Sequence, residues 1–118
     1  MDNNEKINQI REQVLKGVKS KHKDVQLDKW LEYLEKNLSF PFEAKVLEAE
    51  GASDLSWQDI VKVKNINDYI DPYGVLLEIR KGRRKYIFPL CDLEVVDKQS
   101  ENHFITQAYL DWWSNVFW

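Results

Sequence analysis

Acidic side chains are the groups in this chain whose type and spacing best suit a chemical task. Asp54, Asp59, Asp68 and Asp71 gather around two loops that bracket a strand-like run at 60–66. A second set, Asp92, Glu94 and Asp97, is followed by Glu101. A hard cation such as calcium takes about six to eight oxygen ligands, which loop carboxylates and carbonyls supply. No EF-hand spacing is present, since no loop alternates acids around a central glycine and ends on glutamate. Aspartate also forms turns for purely local reasons, and on the residues alone that is the simpler account.

A basic run is the next candidate. Arg80, Lys81, Arg83, Arg84 and Lys85 fall at a hairpin tip flanked by Tyr73 and Tyr86. Cations beside aromatics on a small sheet can hold a nucleic-acid backbone and its bases, or an acidic protein. A solvated tip whose charges discourage edge-to-edge pairing explains the same residues with less. Catalysis has thinner support. His22 and His103 lie in different helical segments, and Cys91 reads as a small core thiol rather than a nucleophile. One cysteine and two histidines are too few for a zinc cluster, and four scattered glycines make no phosphate loop.

The elements that hold these groups show as changes of period. Ile7, Ile10, Val14 and Val18 make one apolar stripe of a helix over 4–23. Asp28 is the expected cap of a second helix over 29–37, with Trp30, Leu31 and Leu34 inward and Pro41 soon after its end. From Phe42 the period becomes two, with Phe42, Ala44 and Val46 alternating against Glu43, Lys45 and Leu47. A second strand over 60–66 sets Val61, Val63 and Asn65 on one face, and 67–72 reads as a polar turn. Runs 73–80 and 84–90 form a hairpin around Lys81-Gly82, and 93–96 is a short closing strand. Residues 101–114 return to helix, with Phe104, Ile105, Ala108, Tyr109 and Trp112 on one side.

This pattern predicts an α+β domain: a small SH3-like five-stranded antiparallel β-barrel flanked by N-terminal helices and a C-terminal helix. The expected division is helical over 1–38, barrel over 39–98 and helix over 99–118, all one domain. Phe42, Val61, Val63, Val75, Leu77, Ile87, Leu90 and Trp112 are the expected core. The 118 residues are 43% hydrophobic, with five each of Trp, Tyr and Phe, enough for a proper core. A net charge of −3 excludes a strong overall nucleic-acid footprint, so any charge argument is local. A single cysteine, a polar start and no long apolar run predict a cytoplasmic protein that does not enter a membrane.

Several pieces then occur in a telling order. Trp30 to Lys45, read as WLEYLEKNLSFPFEAK, resembles the signature of the CcbP-type bacterial calcium-binding proteins, a Trp/Tyr-rich helix followed by an F-P-F strand entry. Asp59-Ile60-Val61-Lys62-Val63 is similar to that family's G-D-x-V-x-V strand, and Pro89-Leu90-Cys91-Asp92-Leu93 to its P-L-x-x-L turn. The aromatic segment from Tyr109 to Trp113 resembles its closing W-x-x-W. The resemblance implies a small barrel-containing fold, calcium bound without EF-hands, and a buffer or weak-sensor role with no catalysis. With the acidic loops, it places the Ca²⁺ site near Asp59, Asp68 and Asp71, with Asp54 as a fourth contributor. Asp68 and Asp71 are the pair able to share one ion with a turn carbonyl. Three departures stand out: two acids in the 67–71 loop, Gln58 where the family has glycine, and the basic hairpin tip. The alternative expectation is a non-catalytic interaction module that uses Arg80–Lys85 to hold nucleic acid or an acidic protein.

Overall fold

The computed structural model of the protein describes residues 2–48, 54–70 and 72–116. The element order is α1 (Asn3–Leu15), α2 (Lys23–Asn37), β1 (Phe42–Val46), β2 (Ile60–Ile70), β3 (Gly74–Lys81), β4 (Arg84–Pro89), a short 3₁₀ turn (Leu90–Asp92), β5 (Leu93–Val95) and α3 (Glu101–Val116). No helix among the described residues is long and apolar enough to cross a membrane.

The α1 helix starts at an aspartate cap, where the Asp2 carboxylate accepts the Glu5 N–H at 2.8 Å. Its stripe buries Ile10 and Val14, and it ends at Leu15, earlier than the apolar spacing predicts. The α2 helix begins at Lys23 rather than Lys29, so Asp28 lies inside it and is not its cap. Leu27, Trp30 and Leu34 form its fully buried face. The N-terminus of α3 is stitched to the link between α2 and β1. There Asn102 accepts the Ser39 N–H and donates to the Ser39 carbonyl, both at 2.9 Å.

All five strands are antiparallel, in the order β4-β3-β2-β1-β5. The α+β class and the five strands match the sequence expectation. The sheet is open, however: β4 and β5 are its two edges, and the ladder does not close between them. The inner face carries Ala44, Val46, Val61, Val63, Val75, Leu77, Ile79, Phe88, Leu93 and Val95, all buried.

Three local corrections have clear causes. The β2 strand runs on through Ile70, so the polar stretch read as a turn is mostly strand. Register shifts between Val63 and Asn65 and between Ile66 and Asp68 break its alternation, which turns Asn65 outward and brings Ile66 and Tyr69 toward the core. Ile87 is 45% exposed and Phe88 is buried in its place. Cross-strand partners share a face, and Leu77 and Ile79, both buried, pair with Phe88 and Tyr86. Phe42 is half-buried, packed on Phe40 at the sheet entry with ring centroids 5.7 Å apart. The other expected core residues, Val61, Val63, Val75, Leu77, Leu90 and Trp112, are buried.

The third layer is aromatic. Trp30 meets Tyr109 edge-on at 5.7 Å and Trp112 at 5.8 Å, and Tyr109 stacks on Trp113 at 6.1 Å. This cluster sits directly on the start of β3. The Val75 N–H donates to the Tyr109 hydroxyl at 3.0 Å. A Cβ on Gly74 would come within 2.4 Å of both the Tyr109 hydroxyl and the Trp113 ring. Two ion pairs tie α1 to α3: Lys6 to Glu101 at 2.6 Å, and Arg11 to Asp111 at 3.6 Å.

Candidate metal centre

The strand geometry separates the four acids singled out by the sequence. Asp59 precedes β2 and Asp68 lies near the far end of it. An extended strand advances about 3.3 Å per residue, so the two stand well beyond the reach of one ion. Asp71 lies outside the described residues.

Each described acid has its own surroundings. Asp54 pairs with Arg84. The Asp59 carboxylate accepts from Lys81 Nζ at 2.7 Å and from the Ser56 N–H at 2.8 Å. The Lys81 hydrogen bond, with help from Ser56, holds the Asp59 carboxyl below the usual range. Lys81 and Arg84 are cross-strand partners at the hairpin tip, so the loop 54–59 is pinned there by two ion pairs. A cation would have to displace an ammonium or guanidinium group to use either acid.

Asp68 is exposed and makes no ion pair among the described residues; its carboxylate accepts the Tyr69 N–H at 2.8 Å. Next to it, the Tyr69 hydroxyl donates to the Asp28 carboxylate at 2.5 Å. That bond, with lesser contributions from burial and from the charges of Asp28, Asp24 and Asp68, pushes the tyrosine up to about 12. Asp24, Asp28 and Asp68 therefore act together on one spot between α2 and the end of β2. Sequence reading missed Asp24 and assigned Asp28 to a cap. The available signal was their spacing of four, which puts two like charges on one helical face.

The second acidic set divides similarly. Glu94 lies between Lys98 at 3.5 Å and Lys45 at 3.9 Å. Asp97 serves the turn before α3, accepting the Gln99 N–H at 3.0 Å. Asp92 stays beside Cys91. Burial, then the charge and hydrogen bond of Asp92, with a smaller part from Glu48, push the Cys91 thiol up to about 12, the opposite of an activated nucleophile. Burial holds the His103 imidazole below its ordinary range, and its Nδ1 is buried without a partner.

Among the described residues no three carboxylate, imidazole or thiol groups converge as a metal cage. Asp68 offers a carboxylate near the end of β2, an oxygen donor that suits a hard cation and not a tight soft-metal site.

The chain belongs to the CcbP calcium-binding family: the model of that family, described as "Calcium binding", matches residues 8–114. No curated protein matches. Two solved structures share the fold. The crystal structure of Anabaena CcbP is 22% identical, with a TM-score of 0.66, over 88% of this chain and 89% of that one. A structure described as "Calcium binding protein in the calcium-binding form" is 18% identical, with a TM-score of 0.69, over 98% of this chain and 94% of that one.

Proposed function

We propose that this protein binds calcium at the end of β2, through Asp68 and Asp71, and acts as a cytoplasmic buffer or weak sensor without catalysis. One observation carries the choice of site. Asp54 and Asp59 are each held by a hairpin cation, whereas Asp68 makes no ion pair among the described residues and shares its field with Asp24 and Asp28. Asp71 follows three residues later, just before the Pro72-Tyr73-Gly74 turn. The family membership supports the ligand. The SH3-like reading of the sheet draws support from its meander order, with β5 returning beside β1.

Few charged ligands imply a dissociation constant of about 10⁻⁵ to 10⁻³ M. The test is a calcium titration followed by calorimetry and amide NMR, on wild type and on Asp68→Asn/Asp71→Asn. Wild type is expected to saturate with shifts centred on 66–75, and the double variant to lose at least about tenfold in affinity, roughly 1.4 kcal/mol. Equal binding by the two proteins moves the site elsewhere, with Asp92 first in line. Binding should weaken as pH falls toward the carboxylate range, because protonated ligands do not coordinate.

A further inference from the structure

Strand alternation splits the basic hairpin into two halves with different fates. Lys81 and Arg84 are cross-strand partners, and both are neutralised, by Asp59 and Asp54. Arg80 and Lys85 are the next pair along, and Lys62 on β2 is opposite Arg80. Lys62, Arg80 and Lys85 thus form a row across three adjacent strands, about 4.8 Å apart from strand to strand. All three are exposed. Glu43 extends the row on β1, and Glu78 approaches Arg80 at 3.9 Å. Lys62, Lys64, Arg83 and Lys85 make no ion pair among the described residues. Like charges directly opposite each other in a sheet are destabilising, and Glu43 and Glu78 offset the three cations only in part, so an added anion is favoured along the row.

The same strand borders an apolar recess. Tyr73, Leu76, Ile87, Phe88 and Pro89 line a pocket of about 360 Å³ on β4 and its neighbours, with Tyr73 57% and Ile87 45% exposed. Among the described residues β4 is an edge strand that pairs with β3 alone. One strand therefore presents free main-chain positions, cations at its Arg84 end and an apolar recess at its Pro89 end. A phosphodiester backbone uses the cations but not the recess, whose remaining polar wall includes the Asp92 carboxylate. An extended polypeptide uses all three.

We propose that the β4 edge and the outer face of β2-β3-β4 dock an extended segment of a partner protein that carries acidic residues towards one end and large apolar residues towards the other. The probe is a fluorescein-labelled synthetic peptide with a Glu-rich half and a half carrying Leu and Phe, in both orders, followed by anisotropy and by amide NMR on the full chain. Poly-glutamate and a single-stranded oligothymidylate serve as comparisons. The peptide is expected to bind in a salt-sensitive way and to shift amides across Arg84–Pro89. Lys62→Glu/Lys85→Glu should weaken it by about tenfold. Ile87→Ser should weaken the peptide but leave poly-glutamate binding little changed. These residues are exposed, and a circular dichroism melt confirms that each variant is folded. Tighter binding of the oligothymidylate than of the peptide overturns the assignment in favour of nucleic acid. Indifference of peptide binding to both variants, or no binding by wild type, overturns the surface itself.

Discussion

Gly74 and Gln58 both occupy the left-handed backbone region, at φ 74° and 69°, with opposite consequences. At Gly74 the conformation and the space both demand glycine, because any Cβ would overlap the Tyr109 hydroxyl and the Trp113 ring. Gly74→Ala is expected to lower stability by about 3 kcal/mol or more, combining backbone strain with an overfilled contact. Chemical denaturation read by tryptophan fluorescence measures this. Gln58 instead pays strain at an exposed turn. Gln58→Gly should relieve it and raise stability by about 0.5–1 kcal/mol, with calcium binding unchanged if the site lies at the end of β2. A wild-type midpoint in urea for Gly74→Ala overturns the first expectation, and a midpoint at or below wild type for Gln58→Gly overturns the second.

The hairpin and α3 show what the sequence could and could not reveal about elements. The Lys81-Gly82 turn and the 84–90 run fixed β4 to within a residue, yet its face was read one residue out of phase. In Tyr86-Ile87-Phe88 every residue is apolar, so alternation alone gives no direction; only pairing with Leu77 and Ile79 does. In β2 the two register shifts erased the period beyond Val63, so its final residues looked like a loop. The acids around β2 were harder to sort, because ion pairs between a loop and a hairpin tip leave no local pattern. In α3 the aromatic spacing was plain, and Trp112 is 3% exposed, its Nε1–H donating to Gln26 Oε1 at 2.7 Å. Trp112→Ala should cost about 3–5 kcal/mol. A melting temperature within a degree or two of wild type would show that α3 does not seal the core.

Across the molecule, titration sets a pH window for stability. Burial lowers the His103 pKa from 6.5, so the unfolded chain binds that proton more readily. Its contribution is present above that value and is lost as pH falls below it, and the depressed Asp59 carboxyl adds a further loss at lower pH. On the alkaline side, the pKa of Cys91 rises from 9.0 to about 12, and those of Tyr69 and Tyr109 are also raised. Their contributions are full below the unfolded values and disappear as pH climbs through the folded ones. The melting temperature should therefore be highest between about pH 7 and 9, and a scan at fixed ionic strength checks it. The ties between α1 and α3 bear on a different matter, how the protein is made. Lys6 and Glu101 are 95 residues apart in the chain. At about 5–20 residues per second, a ribosome needs about 5–20 s to travel between them. Throughout that interval the Ile10–Val14 stripe has no α3 to cover it, and Trp30 lacks Tyr109 and Trp112. The sheet and helices can settle into one core only after α3 has emerged, so the folding of this unit waits on its last helix.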